Sequence, residues 1–453
     1  MSRRGTWPTL LAAAAAAVTA STAVAAPRPA IAHLPTIEQA TLPNGLKITV
    51  MQIDAAPVVA VQLWYHAGSK DEPGNRRGSA HMFEHMMFKG TKHVRAEAHS
   101  QFLNSIGGYV NAQTDEDATH YVDTVPSDFL DFTIQLEAER MRGLLIRKGM
   151  VETEKQVVEE EIRQADNSPL TKGFLRFLQV AYTRHPYAWT AGGTASDLDA
   201  TSVEDLQKFY DAYYQPNNAM LVVVGKTSMA AVKASAEKWF GPIPKAAEPP
   251  RPSADRVEPP QVGSRREVVE PSQIGLVLVG WHIPPARNAD VYALQVASLI
   301  LGTGESSRFK QRLKAVDPKS QHALALDGGV ESLVREEPGL TVAVGVYRDQ
   351  APEPIEAALQ DEVTKLGRSG PTADELRKAK NNVMSGFVFS LEHAQGLAEA
   401  MGRSWILTGD PQSFVHQVDL IEKVSSSDVQ RVIKQYLTPD RATVVVIPSK
   451  GQP

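Results

Sequence analysis

Cysteine is absent from the 453-residue chain, which excludes disulfide staples, thiolate metal ligands and a lipid-anchored cysteine. Any metal must therefore be held by His, Asp and Glu. There is no lysine-arginine run, and a formal net charge of −5 leaves no basic stripe for a phosphate backbone, so nucleic acid is not an expected partner. Long apolar runs are missing as well: beyond the N-terminal segment, nothing approaches the roughly 20 residues of a membrane span.

Residues 1–26 are set apart. Arg3-Arg4, an alanine-rich apolar stretch from Leu10 to Ala20 and the small-residue site Ala23-Val24-Ala25 make a secretory signal peptide. The mature protein is expected in the periplasm or outside the cell. Ser2-Arg3-Arg4 leaves the general and twin-arginine export routes both open.

The remaining length suits two or three domains. Between Pro242 and Gln261 the chain turns rich in proline, alanine and charge without apolar periodicity, which reads as a linker over 242–263. It separates an N-terminal domain, 36–241, from a C-terminal domain, 264–450. The two resemble each other. Asp205-Leu206-Gln207, Tyr213-Tyr214 and Pro216 lead into the apolar run Ala219–Val224; Asp428-Val429-Gln430, Tyr436-Leu437 and Pro439 lead into Ala442–Ile447, each 223 positions later. Duplication of one domain explains the match. Carried back, the same offset sets Gly304–Arg308 opposite His81–His85, so the second copy lacks the residues discussed next.

Ala40–Val50, with its Asn44-Gly45 turn, and Val58–Tyr65 read as an opening hairpin, and Gly108–Val125 as further strands around Asp115-Glu116-Asp117. Helical periodicity covers Ser127–Gln164 and Val203–Tyr214. In the second half Ile274–Trp281 and Leu340–Val346 read as strands, and Ala351–Gly367, Thr372–Ser390 and Asp428–Tyr436 as helices. The fold class is α+β: two duplicated domains, each a largely antiparallel sheet packed with helices.

His81-Met82-Phe83-Glu84-His85 carries the chemistry. In a helix started by Ser79-Ala80 and ended by Gly90, positions 81 and 85 share a face, with Glu84 three residues from His81. Met82, Phe83, Met86 and Met87 cover the opposite side and should be buried. Two imidazoles and a carboxylate on such a helix are costly to desolvate unless a divalent cation compensates them. A catalytic zinc takes three protein ligands and leaves a place for water, so a further carboxylate is expected. Across about Met150–Gln164, Glu154, Val157, Val158 and Glu161 fall on one stripe. Glu161 is the choice for ligand and Glu154 for a group accepting a hydrogen bond from a ligand histidine. Glu152, Glu159 and Glu160 read as a solvated face, and the other histidines, with His120 the least certain, as structural or surface groups.

At these residues the chain resembles the pitrilysin/insulinase family of zinc peptidases, whose signature is the inverted His-x-x-Glu-His motif followed by a segment like Glu154-Lys155-Gln156-Val157-Val158-Glu159-Glu160-Glu161. Glu161 follows His85 by the family's spacing of 76. Gly78-Ser79-Ala80, Phe88-Lys89-Gly90-Thr91, Gly107–Ala112, His185-Pro186-Tyr187 and Tyr214–Asn218 extend the likeness over nearly the whole mature chain. The resemblance implies a half-clam fold, one zinc ion per chain on His81, His85 and Glu161, Glu84 as general base toward an acidified water, and substrate backbone held at Asn111-Ala112 by strand addition. The function it implies is a zinc-dependent endopeptidase for short or unfolded peptides. A non-catalytic assembly subunit and a maturation peptidase for one precursor remain alternatives.

One family feature is missing. Self-sufficient members carry an arginine and a tyrosine seven residues apart in the second half; the corresponding stretch here is Leu313–His322, with Lys314 in the arginine's place, no tyrosine and Pro318 interrupting. The expectation is a heterodimer whose homologous partner supplies the pair, with a homodimer as the alternative.

Overall fold

The computed structural model describes residues 35–450 apart from 252, 317–321 and 391. Residues 1–26, read above as a signal peptide, and Pro318 lie outside the described residues. Strands β1 (Ile37–Thr41), β2 (Lys47–Gln52), β3 (Val58–Tyr65), β4 (Tyr109–Thr114), β5 (Thr119–Pro126) and β6 (Ala219–Gly225) form one sheet in the order β1-β2-β6-β3-β5-β4. A second sheet holds β7 (Arg265–Val268), β8 (Gly275–Ile283), β9 (Asp327–Leu333), β10 (Gly339–Tyr347) and β11 (Thr443–Ile447) in the order β7-β11-β8-β10-β9. Pairing is antiparallel except between β2 and β6 and between β7 and β11.

The first half carries helices α1 (Ser79–Met86), α2 (Ala98–Ser105), α3 (Leu130–Gly143), α4 (Lys148–Asp166), α5 (Pro169–Ala181), α6 (Ala195–Ala200), α7 (Val203–Tyr213) and α8 (Met229–Trp239). The second carries α9 (Asp290–Gly302), α10 (Arg308–Leu313), α11 (Pro352–Ser369), α12 (Ala373–Ser390), α13 (Ala394–Thr408), α14 (Ser413–Lys423) and α15 (Ser426–Tyr436). This is the α+β arrangement expected from the sequence. The sheets have the same strand order once β1, which has no counterpart among the described residues, is set aside.

Two expectations need correcting. Asn44-Gly45, with Gly45 at φ 92°, joins β1 to β2, but β6 lies between β2 and β3. Every residue of β6 is buried, and such a strand gains most from neighbours on both edges, so it takes the interior place the proposed hairpin would have filled. The offset of 223 also does not hold along the whole chain. Element order sets α1 opposite α9, whereas Gly304–Arg308 spans the connection after α9 and the first residue of α10. Shorter connections in one copy change the register even where the topology is kept. Helix α9 has no histidine or glutamate.

Each sheet buries both faces. One face of the first sheet, with Val50, Val61, Leu63 and Val223, packs on Phe83, Ile134, Met141 and Phe209 of its own half. The other face, with Ala60, Trp64, Val222 and Val224, is covered by Leu397, Met401 and Trp405 of α13 from the second half. The exchange is reciprocal: Phe174, Phe177 and Leu178 of α5 cover Leu278, Val342 and Val344 of the second sheet. These strands accordingly read as apolar runs rather than alternating ones. At Gly402 a Cβ would stand 2.1 Å from the indole of Trp64, which is itself stacked at 3.8 Å on His120, so the exchanged helix approaches to backbone distance.

The proline-rich stretch between the sheets is docked along the first half. Arg251 donates to the carbonyl of His66 at 2.8 Å and to Asn218 Oδ1 at 2.8 Å. Arg256 donates to the carbonyl of Glu72. The Glu258 carboxylate accepts from the amides of Thr183, Arg184 and His185.

Charge also joins the halves. The turn after β9 places Glu336 against Lys70 and 2.6 Å from His66 Nε2, while Arg335 meets Glu116 at 2.5 Å. Lys70 also pairs with Asp117 at 2.7 Å, and Asp117 accepts from the amide of Glu336. Burial opposes ionisation of Glu336, but the hydrogen bond to His66 and the charge of Lys70 prevail and hold its carboxyl down at about 2, against an ordinary 4.5. A depressed folded-state value contributes stability that is complete above about pH 4.5 and is lost as pH falls toward 2. Glu336→Gln is expected to cost on the order of 2 kcal/mol at neutral pH and to flatten the acid limb, as read from denaturant midpoints between pH 2 and 7.

Candidate metal centre

Helix α1 is clamped before it presents anything. Gly78, at φ 90°, precedes its first residue, and the buried Glu72 carboxyl accepts from the amides of Gly78 at 2.9 Å and Ala80 at 2.7 Å. Those two amides would otherwise be unsatisfied donors at a helix start. Met82, Phe83 and Met86 are fully buried and Met87 nearly so, as their placement in the sequence requires. Tyr121 donates to the Phe83 carbonyl at 2.9 Å, tying the helix to β5.

The opposite face carries His81, Glu84 and His85, all half-buried. The two imidazoles stand edge to face with ring centres 4.9 Å apart. Helix α4 packs alongside α1 and brings in Glu161, whose Oε2 lies 3.6 Å from His81 Nε2 and 3.6 Å from His85 Nε2. These donor atoms all fall within 4.8 Å of one another. Ligands at about 2.0–2.1 Å from a tetrahedral zinc stand roughly 3.4 Å apart, close to the two Glu161 contacts at 3.6 Å, so the chemistry of the donor set and these separations fit a zinc ion.

The groups around it differ in protonation. Burial, with the neighbouring His85, pushes His81 down to about 3, so its imidazole is neutral and able to act as a ligand. Burial also opposes a charge on His85, but Glu154, Glu161 and Glu84 outweigh it and raise it. Burial raises Glu84 to about 7, with His85 and Thr114 pulling the other way. A carboxyl group near 7 can both take and return a proton at neutral pH.

Glu154 is buried, with Oε2 3.5 Å from His85 Nδ1. Val151 and Val158 are buried beside it, but Val157 is 42% exposed, a correction to the expected stripe. At 100° per residue Val157 falls 60° to one side of Glu154 and Val158 40° to the other, and burial favours the second flank, where Val151 and Val158 lie.

Asn111 and Ala112 lie on β4, which ends the sheet and, among the described residues, pairs only with β5. Asn111 is exposed, Ala112 packs into the core, and α1 runs beside the strand.

Lys89, Glu72 and Thr114 were missed from the sequence. Lys89 stands one helical turn past His85, a spacing that could have flagged it; its Nζ is 3.1 Å from Glu154 Oε1 and 2.9 Å from Glu97 Oε1. Glu72 carries no local signal, since its partners lie across a loop. Among the other histidines, His99 joins Asp123 and Glu137 in a second buried group of potential ligands. There the Arg140 guanidinium already pairs with Glu137 and lies over the Tyr121 ring at 4.2 Å, so a cation is in place.

Comparison with known proteins agrees with this geometry. Residues 48–192 match the family model for insulinase, peptidase family M16, and residues 200–383 match the peptidase M16 inactive domain. The zinc protease PqqE of Helicobacter pylori is 32% identical over 423 residues, covering 92% of this chain and 93% of that protein.

The chain belongs to the M16 peptidase family.

A further M16 relative, the mitochondrial-processing peptidase subunit beta of Lentinula edodes, is 26% identical, covering 89% of this chain and 88% of its own. The crystal structure of a protease from Helicobacter pylori superposes with a TM-score of 0.86 at 30% identity, over 92% of this chain and all of that one. An M16 inactive-domain structure from Pseudomonas fluorescens reaches 0.82 at 18% identity, over 92% and 99%, a likeness of fold. The family and its relatives named as zinc proteases make this chain a peptidase-family member with zinc as the implied metal.

Replacing Glu72 with Ala leaves two buried amides at the start of α1 without an acceptor, at about 1–3 kcal/mol. The expected outcome is a lower urea midpoint with an unchanged slope; an unchanged midpoint would show that the helix start does not depend on this contact.

Proposed function

We propose that this chain is a zinc-dependent endopeptidase acting on short or unfolded peptides, and the catalytic subunit of a heterodimer. The observation that carries the reading is the meeting of His81, His85 and Glu161 at 3.6 Å contacts, with Glu84 on the same face. His81, His85 and Glu161 would hold one zinc ion per chain, which would supply Lewis-acid polarisation of the scissile carbonyl and lower the pKa of a water from ~16 toward ~7.

The rest falls to the chain's own side chains. Glu84 takes a proton from the attacking water and returns it to the leaving amine, a double task suited to a carboxyl group near 7. Glu154 Oε2 stands 3.5 Å from His85 Nδ1, an ionic contact that orients the ring so that Nε2 faces the metal place. Asn111 and Ala112 offer an unpaired strand edge beside α1, where a substrate in extended form adds its backbone to β4.

The heterodimer follows from the missing arginine-tyrosine pair. Lys314 closes α10 and pairs with Glu305 at 3.2 Å, so it is engaged within its own half. The relative named as a processing-peptidase subunit is, by that name, one part of a larger enzyme. Domain limits of 36–241 and 264–450 are part of the same reading, as is export directed by residues 1–26, which places the mature enzyme in the periplasm or outside the cell. Among the described residues no helix is long and apolar enough to cross a membrane.

Glu84→Gln should keep its zinc, measured by elemental analysis, while kcat/KM on an unfolded peptide falls by at least ~100-fold. Parent-like hydrolysis by this variant rules out Glu84 as the base. For the heterodimer, adding a homologue that carries the arginine-tyrosine pair should raise peptide hydrolysis severalfold; a chain fully active alone, which no homologue stimulates, removes that part of the reading.

A further inference from the structure

We infer that Lys89 is a positioning residue of the metal centre: its ammonium holds one oxygen of Glu154 so that the other faces His85 Nδ1. The inference rests on the reading of His81, His85 and Glu161 as zinc ligands and extends it to a cation that touches none of them.

The two oxygens of Glu154 are engaged separately. Oε1 is 3.1 Å from Lys89 Nζ and Oε2 is 3.5 Å from His85 Nδ1. The Glu154 side chain is 4% exposed, so its charge is taken from water and must be compensated nearby. His85 can satisfy one oxygen only. Among the described residues Lys89 is the one ammonium or guanidinium paired with the other. Remove it and the carboxylate is free to turn Oε1 toward solvent, and the contact that orients His85 is no longer determined.

The dependence on this branch is sharpened by an asymmetry. Among the described residues no carboxylate stands at His81 Nδ1, which is buried without a hydrogen-bond partner, whereas His85 Nδ1 has the Glu154 carboxylate at 3.5 Å, an ionic contact in which Oε2 makes no hydrogen bond. The orientation of the histidine pair therefore rests on the His85 side, where Lys89, Glu154 and His85 form a line from the surface to the donor triad. The place of Lys89 is itself built, since it stands just past α1 with its amide bonded to the Met86 carbonyl at 2.9 Å. Its second partner, Glu97, is 45% exposed and immediately precedes α2. A purely structural role would use Glu97 to tie down the loop before α2; a positioning role uses Glu154.

The test measures zinc affinity of the full chain by competition with a chromophoric chelator, alongside the melting temperature of the zinc-free protein. Lys89→Met should weaken zinc binding by about 10-fold or more, Lys89→Arg should restore most of it, and Glu97→Gln should leave it unchanged. Combined with Glu154→Gln, Lys89→Met should add no further loss, since the two act as one unit. Should Lys89→Met fail to fold when zinc-free, Lys89→Gln takes its place. Parent-like affinity in the Lys89 variants, an equal loss in Glu97→Gln, or additive losses with Glu154→Gln overturns the inference. A parent chain that binds no zinc overturns the metal reading itself, and this inference with it.

Discussion

Most of the first domain is arranged around one problem of solvation. Helix α1 is buried along Met82, Phe83 and Met86, so it cannot turn its polar face freely into water, yet that face carries two imidazoles and a carboxylate. Removing such groups from water is affordable only where opposite charge or a hydrogen-bond partner meets them. Helix α4 supplies the partners, with Glu161 3.6 Å from both rings and Glu154 behind His85. The packing of α1 on α4 and the assembly of the donor triad are thus the same event.

That event depends on elements distant in sequence. Glu72 holds the start of α1, Tyr121 its middle and Lys89 the carboxylate behind it. The second half contributes no donor but completes the first sheet through α13, and receives α5 in return. With the ionic contacts of Glu336 and Arg335 across the same boundary, the two halves are coupled through their layers as well as through the chain. A sheet left with one bare apolar face would not hold β4 and β5 beside α1 as they are held here.

Much of this was legible beforehand, for identifiable reasons. Binary patterning exposes a helix such as α4 or α11 because one face must be apolar, and the turn at Asn44-Gly45 because it needs positive φ. The order of strands was less visible: β6 enters the middle of a sheet whose other members lie some hundred residues earlier, and no local pattern encodes that. The apolar faces of α5 and α13 are patterned like those of other helices, but nothing local says that they cover the sheet of the opposite domain. Val157 was misassigned because an apolar residue near the edge of a stripe looks the same whether a neighbour covers it or not.

What the sequence determined by itself was the set of donors and the faces on which they sit, because helical spacing alone puts His81, Glu84 and His85 on one side and Glu154 and Glu161 on another. It also determined the duplication, since repeated residues keep their order whatever the fold. Only the tertiary structure decided that Glu161 comes to both imidazoles, that Lys89 and Glu72 support them, and that each sheet borrows a helix from its twin. Those are contacts between segments far apart along the chain, and their distances come from packing, which no local spacing contains.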